Sequence, residues 1–206
     1  MTEAHAETRA ARREARAARG ESPLAGKFAL FAECLLTGVW IALASLPLVT
    51  YPAAFAAGSR HLGRQLAHER GGLREFTADF RSALRGGWLV GLAGWAALTV
   101  VLVDVRVVRA GLPGGALVGA VGVLALIAAV VAGLRAAASW RPGDSWWSLL
   151  AEAGRRTVLD PAGSFLIVGG LAVVVCSAWF SAPLALPVLG AVAAAAVAVE
   201  ERYRRR

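Results

Sequence analysis

Residues 116–134 read ALVGAVGVLALIAAVVAGL, which is 19 consecutive residues without a charged side chain, ending directly before Arg135. A helix of about 20 residues crosses the ~30 Å hydrocarbon core of a bilayer. Four other stretches have the same character: 28–46, 88–103, 162–180 and 182–199, with Glu33 as the single charge among them. A helix on a soluble core would carry a polar face, and these stretches have none. The pattern therefore predicts membrane-spanning helices.

The composition of the whole chain agrees with this prediction. Of the 206 residues, 57% are hydrophobic and 17% are charged, whereas charged residues make up roughly a quarter of an ordinary soluble domain. Such a composition excludes a disordered chain. The net charge of +8, from 22 Lys+Arg against 14 Asp+Glu, would also suit a nucleic-acid-binding protein. The distribution of the charge along the chain decides between these classes.

A shorter apolar run, Pro47–Ser59, leaves two interpretations open. Its 13 residues correspond to about 20 Å of helix, a length typical of a re-entrant or interfacial segment. Alternatively, it is a sixth span whose end is completed by Arg60 and Arg64, because long basic side chains reach the headgroups from within a helix end.

The arginine distribution favours the sixth span. With six crossings and a cytoplasmic N-terminus, four segments carrying 6, 6, 4 and 4 basic residues lie inside, and only Arg106 and Arg109 lie outside. Five crossings place 8 basic residues inside and 14 outside, against the positive-inside rule. We therefore predict an all-α, polytopic membrane protein with six transmembrane helices in three hairpins, located in the cell membrane with both termini cytoplasmic. The charge is then a topology signal and a contact with anionic headgroups of the lipid bilayer, and no nucleic acid is expected as a partner.

This six-span topology divides the chain into a basic N-terminal tail (1–26), a membrane domain (27–201) and a basic C-terminal tail (202–206). The inner loops, at about 60–87 and 135–161, contain amphipathic helical patterns. We expect a face of these helices to meet the membrane or a partner through Phe76, Phe80, Trp147 and Leu150. The residues expected to contact headgroups are Arg60, Arg64, Arg81, Arg85, Arg155 and Arg156.

Few residues suit catalysis. Cys34 and Cys176 lie in apolar runs without metal or redox spacing, and are expected to be buried thiols. The three histidines, His5, His61 and His68, are expected in solvated or headgroup positions. The chain has no phosphate-binding glycine loop, dinucleotide fingerprint or nucleophile elbow. We therefore expect a protein that is not an enzyme and needs no metal or cofactor.

Glu33 is the one ionisable side chain inside a predicted span, which makes it the candidate intramembrane polar site. It would bind a substrate, a cation or a proton, or else reach the membrane surface or pair with Arg60 or Arg64. Glu200, next to the terminal arginines, is expected on a solvated helix end.

Three short motifs resemble the YesL-like family of bacterial membrane proteins. They are Leu46-Pro47-Leu48-Val49-Thr50, the segment Phe76 to Arg85 with its Phe80-Arg81-Ser82, and Leu149–Arg156 followed by Asp160-Pro161. The resemblance covers roughly Lys27 to Glu200. It supplies no catalytic residues, because the molecular function of that family is not established. Its members are often encoded beside carbohydrate uptake systems, so the resemblance implies an accessory or scaffold role in carbohydrate transport or utilisation, with a transport-system subunit as partner.

Two further alternatives stay open. One is that the chain acts by itself as a small-solute transporter or channel, with Glu33 as its polar site. The other is that its partner is a second copy of the same chain, in a homo-oligomer.

The topology has a direct test. Reporter fusions at Arg206 should read cytoplasmic, and fusions within 106–114 should read external, because this threading separates the basic segments from Arg106 and Arg109. A cytoplasmic readout from the 106–114 fusion would exclude it.

Overall fold

The computed structural model describes residues 23–67, 69, 71–110, 114–180 and 182–204; residues 1–22 of the predicted tail 1–26 lie outside these ranges, and its last four residues are helical. The described residues form helices and no strands. There are seven helices: α1 (Pro23–Ala44), α2 (Tyr51–Leu66), α3 (Leu73–Arg109), α4 (Gly115–Ser139), α5 (Trp146–Leu159), α6 (Pro161–Phe180) and α7 (Ala182–Arg204). The all-α prediction is confirmed.

Three of these helices, α3, α4 and α6, are long and apolar enough to cross a membrane. Their large apolar side chains point away from the protein: Leu117, Leu124, Phe165 and Trp179 are all strongly exposed. A soluble protein does not expose apolar patches of this extent, so the chain has the surface of a membrane protein. Within the described residues three helices meet this criterion and not six, and α2, with 16 residues, is too short to meet it.

Helix α2, the ambiguous run of the sequence, lies at the centre of the bundle. It contacts α1, α3, α4 and α7, and every residue from Pro52 to Ser59 is buried. Most of these side chains are alanine or glycine, which let four helices approach one axis closely. The segment is therefore the packing core of the protein, whatever fraction of the bilayer it crosses.

Two glycines mark the closest contacts between elements. A Cβ at Gly190 of α7 would collide with the carbonyl oxygen of Cys34 on α1, and one at Gly91 of α3 would collide with the carbonyl oxygen of Val49. In both cases the obstacle is backbone, which cannot move aside as a side chain would.

Two side-chain hydrogen bonds stabilise the turn between α1 and α2. The Thr50 hydroxyl donates to the carbonyl of Ala44 (2.6 Å), and Trp95 Nε1 of α3 donates to the carbonyl of Leu48 (3.1 Å). Leu48 adopts a positive φ of 53°, a strained conformation for a leucine that these contacts hold in place.

Both predicted amphipathic segments are helical. The first is continuous with the span that follows it, since α3 only kinks at Arg85, where ψ is 19°. Trp146, at the start of α5, packs beside Gly86 and Gly87 and donates from Nε1 to the carbonyl of Ala83 (2.9 Å). Trp146 therefore connects the second amphipathic helix to the kink in α3.

The boundaries differ from the predicted loops at two places. Helix α4 continues to Ser139, so Arg135 belongs to the helix and not to the following loop. Helix α7 continues to Arg204, so the predicted C-terminal tail begins as helix. In both cases the charged residues are held by ion pairs described below, which keeps the helix ordered beyond its apolar run.

The close approach of α1 and α7 is testable with Gly190→Ala. We expect a loss of about 1–3 kcal/mol in the free energy of unfolding, because the added methyl group overpacks a rigid contact. Thermal unfolding of the detergent-solubilised protein, followed by circular dichroism, measures it.

Gly169→Ala on α6 is the matched control, since nothing lies within 4 Å of a Cβ at that position. Alanine forms helices better than glycine, so this variant should be as stable as the wild type or slightly more so. Equal stability of both variants would contradict the described contact.

Candidate functional site

A fully buried guanidinium group lies at one end of the bundle. Arg135, on α4, is 0% exposed. It bonds to the Asp160 carboxylate (NH2 to Oδ2, 3.1 Å) and to the Glu200 carboxylate of α7 (NH1 to Oε1, 3.3 Å). Burial of an unpaired charge is strongly unfavourable, so a second and third helix must bring carboxylates to this point.

Asp160 reaches this position because it caps helix α6. It precedes Pro161, the first residue of the helix, and its Oδ1 accepts from the N–H of Gly163 (3.3 Å). An acidic cap followed by proline is a typical helix start. Burial raises the pKa of Asp160, but the bonds from Arg135 and Gly163 outweigh it and leave the pKa below its ordinary value of 3.8. The pair therefore stabilises the fold above that pH, and its contribution is lost as the pH falls further.

Further arginines extend this cluster outward. Arg156 of α5 donates to Glu200 (NH1 to Oε2, 2.7 Å), and Arg202 of α7 reaches Asp160 (3.4 Å). Hydrogen bonds from Arg155 and Arg156 lower the pKa of Glu152 from 4.5 to about 2. We call the group formed by Arg135, Asp160, Glu200, Arg156 and Arg202 the Arg135 cluster. It joins α4, α5, α6 and α7.

A second ion-pair group joins α2 to α3. Asp79 Oδ2 accepts from Arg60 Nε (3.1 Å) and from Arg64 NH2 (2.7 Å). One carboxylate thus holds two guanidinium groups, and the trio keeps a net positive charge. Arg64 Nε is buried and has no hydrogen-bond partner among the described residues.

Glu33 pairs with a histidine and not with an arginine. Its Oε2 lies 3.3 Å from His61 Nε2, and the ring of Trp40 packs edge-on against the His61 ring at 5.0 Å between centroids. The expected partners Arg60 and Arg64 point instead to Asp79. His61 is 1% exposed, so the expectation of a solvated or headgroup histidine was wrong. His61 lies on the buried face of the central helix.

The residues expected on the outer face of the amphipathic helices are in different environments. Phe76 is 3% exposed and packs on Trp40, so it is an interior side chain. Phe80 and Leu150 are partly buried against the core. Only Trp147 points outward, at 62% exposure. The helical spacing located the apolar stripe, but helix packing covers most of it.

The expected headgroup arginines also separate into two groups. Arg81, Arg85 and Arg155 are exposed, whereas Arg60, Arg64 and Arg156 are partly buried in ion pairs. Glu200, expected on a solvated helix end, is 1% exposed, and that interpretation was wrong. Sequence analysis missed Arg135, Asp160 and Asp79 as paired residues. The Asp160-Pro161 helix start was the one local signal available.

A cleft and an apolar groove lie between the helices in the described part of the chain. The larger, about 870 Å³, is here called the arginine cleft and opens between the C-terminal ends of α2, α4 and α7. Its lining includes Ser59, Arg60, Arg64, Trp140, Arg141 and Arg202. The smaller, about 380 Å³, is an apolar groove among α2, α3 and α4, bounded by Tyr51, Phe55, Trp95 and Leu134. Glu33 lines neither of them.

Metal binding finds no support in this arrangement. No group of three His, Cys, Asp or Glu side chains suited to a metal ion occurs among the described residues. Cys34 and Cys176 are unpaired, and Cys176 is exposed on α6, so the prediction of a buried thiol was wrong for this residue. The chemistry available here is ion pairing and hydrogen bonding by guanidinium groups.

Comparisons with protein-family models, with curated proteins and with solved structures found no match to this chain. The resemblance to the YesL-like family therefore stays a prediction.

The Arg135 cluster has a clear energetic test. Arg135→Met should lower the free energy of unfolding by about 3–5 kcal/mol, because it leaves Asp160 and Glu200 buried without their central cation. Arg155→Met is the matched control. It should have little effect, since Arg155 is 60% exposed and its one ion pair among the described residues is with Glu152. Chemical unfolding in detergent micelles measures both, and equal losses would contradict the assignment.

Proposed function

We propose that this chain is a six-span protein of the bacterial inner membrane, with both termini cytoplasmic, that acts as a non-catalytic accessory or scaffold subunit of a transport system. The resemblance of its sequence to the YesL-like family implies that this system serves carbohydrate transport or utilisation. Three features support this role: the common side on which the charged residues lie, the exposed apolar face of α5, and the position of Glu33.

The positions of the charged residues support the proposed topology. The six-span threading assigns Arg60, Arg135 and Arg202 to three different cytoplasmic segments. In the fold, these segments meet: Arg60 and Arg202 line the same cleft, and Arg135 and Arg202 both bond to Asp160. A threading that put any one of these segments on the opposite side would separate them by the thickness of the bilayer. The convergence supports one common side.

Helix α5 supports the accessory role. It buries Trp146 and Ala153 against the bundle, and it exposes Trp147, Val158 and Leu159. The helix is held rigidly, because Arg156 connects it to α7 and Trp146 connects it to α3. A rigid apolar face at the charged end of the bundle suits docking of a membrane-protein partner.

Glu33 favours the accessory role over transport, because it lies in neither cavity and is tied to His61. A substrate site needs a pocket that encloses the ligand. The transporter alternative retains one supporting observation, namely that Glu33 and His61 place two titratable groups beside each other next to the central helix.

Photo-crosslinking tests the docking face. A photoreactive amino acid at Trp147 should capture a protein subunit of a transport system in intact cells, identified by mass spectrometry. The same group at Trp179, 87% exposed on α6, is the control and should capture lipid. Capture of lipid alone from both positions would overturn the docking assignment.

Flux measurements separate the two functions. Liposomes with the purified protein should move protons and a panel of labelled sugars no faster than empty liposomes, and Glu33→Gln should leave crosslinking at Trp147 unchanged. Solute movement that Glu33→Gln abolishes would establish the transporter alternative.

A further inference from the structure

The arginine cleft has the features of a site that holds a ligand, although only Arg60 and Arg64 of its lining were expected, and only as headgroup contacts. Its lining carries four guanidinium groups (Arg60, Arg64, Arg141 and Arg202) and two carboxylates (Glu69 and Glu201). Guanidinium groups present a planar fork of N–H donors that matches phosphate oxygens. The charge balance of the lining thus favours an anion.

Several of these guanidinium groups are fixed in position, yet not all of their N–H donors are paired. Asp79 fixes Arg60 and Arg64 together through Arg60 Nε and Arg64 NH2, so two guanidinium groups share one negative charge. Among the described residues, Arg141 forms no ion pair, and its side chain is exposed. Fixed, partly unpaired guanidinium groups require little reorganisation on binding.

A buried hydroxyl supplies an independent sign of a ligand. Ser59 lines the cleft and is 1% exposed, yet its Oγ has no hydrogen-bond partner among the described residues. Arg64 Nε, one and a half turns along the same helix, is also buried and unpartnered. Buried polar groups are normally paired, so these two atoms fit contacts with a bound molecule.

The carbonyl groups at the helix ends around the cleft accept hydrogen bonds from groups other than these donors. The Ser139 hydroxyl donates to the last carbonyls of α4, those of Arg135 and Ala136. The N–H of Glu69 bonds to the Arg64 carbonyl at the end of α2 (2.9 Å). These terminal carbonyls therefore do not accept from the guanidinium groups that line the cleft.

One residue keeps the cavity open. Gly63 lies one turn from Ser59 on α2 and lines the cleft, and nothing lies within 4 Å of a Cβ built on it. A Cβ at this position would therefore meet no clash, and a bulky side chain attached to it would occupy part of the cleft.

The cleft lies at the level of the bundle that corresponds to the headgroup layer. The apolar run of α4 ends at Leu134 and the helix continues to Ser139, five residues or about 7 Å farther. The headgroup layer of a bilayer leaflet is about 5–8 Å thick. The wall also includes Leu66, Val197 and Ala198, which suit the apolar part of an amphiphile.

From this geometry we propose that the arginine cleft is a binding site for a phosphate-bearing ligand, held by Arg60, Arg64, Arg141 and the Ser59 hydroxyl. The phosphate belongs either to a membrane lipid or to a small soluble molecule. The site is independent of the accessory role, so either proposal stands if the other fails.

Native mass spectrometry and thermal-shift measurements on the detergent-solubilised full chain test the site. The probes are phosphatidylglycerol, galactosyl diacylglycerol with the same acyl chains as a phosphate-free control, and inorganic phosphate. We expect phosphatidylglycerol to bind at least tenfold more tightly than the galactolipid if the source is lipid. Saturable stabilisation by inorganic phosphate alone identifies a soluble source.

Two variants connect binding to the cleft. Gly63→Phe should fill it, and Arg141→Ala should remove one donor. Each should weaken binding of the preferred probe about tenfold or more, Gly63→Phe because the ring occupies the space of the ligand and Arg141→Ala because one charge-assisted contact is lost. The hydrogen bonds between Arg141 and Asp144 use the backbone of Arg141, which alanine retains, and nothing lies within 4 Å of a Cβ at Gly63. Both variants should therefore unfold at the wild-type temperature in the absence of probe. Arg155→Ala, on the exposed side of α5, is the control and should bind as the wild type does.

Two results would overturn the proposal. One is equal binding of phosphatidylglycerol and galactolipid together with no response to inorganic phosphate. The other is phosphate-dependent binding that persists unchanged in correctly folded Gly63→Phe and Arg141→Ala.

Discussion

The burial of one positive charge constrains the arrangement of four helices. Arg135 has no contact with solvent, so the fold is stable only when carboxylates reach it from elsewhere in the chain. Asp160 comes from the start of α6 and Glu200 from the end of α7, 25 and 65 residues away in sequence. Bringing both to the same guanidinium group fixes where α4 ends, where α6 begins and how far α7 continues. Arg156 then places α5 on the same cluster.

The rest of the bundle depends on close packing of small side chains. Among apolar surroundings, the hydrophobic effect does little to draw helices together, so van der Waals contact and polar pairs must do so. The alanine-rich helix α2 lets four neighbours approach it, and Gly190 and Gly91 allow backbone-to-backbone contact. Polar pairs, Glu33 with His61 and Asp79 with Arg60 and Arg64, then join α2 to its neighbours. Packing and pairing together explain how a helix too short for a clear membrane signal becomes the centre of the protein.

The candidate site was predictable in part. The surplus of arginine in a few segments is visible in the sequence, and it predicts a charged end of the protein. The partners were not predictable: Glu33 had the nearby Arg60 and Arg64 as reasonable candidates, yet it meets His61, because Asp79 on α3 takes both arginines. Phe76 lies on an apolar stripe that predicts a surface face, but Trp40 of α1 covers it. Each of these outcomes depends on which helix lies against which, and local spacing carries no information on that.

By itself, the sequence determined that the chain is helical, apolar on its surface and charged at the ends of its apolar runs. These properties follow from composition and from the length of uncharged runs, which act on each segment separately. The tertiary structure alone decided that Pro47–Ser59 contributes the central helix, that Arg135 is buried, and that Ser59, Gly63 and the arginines enclose a cleft. Those features need contacts between residues many positions apart. The free energy of a buried charge or an unfilled cavity depends on all the groups around it and not on any one segment.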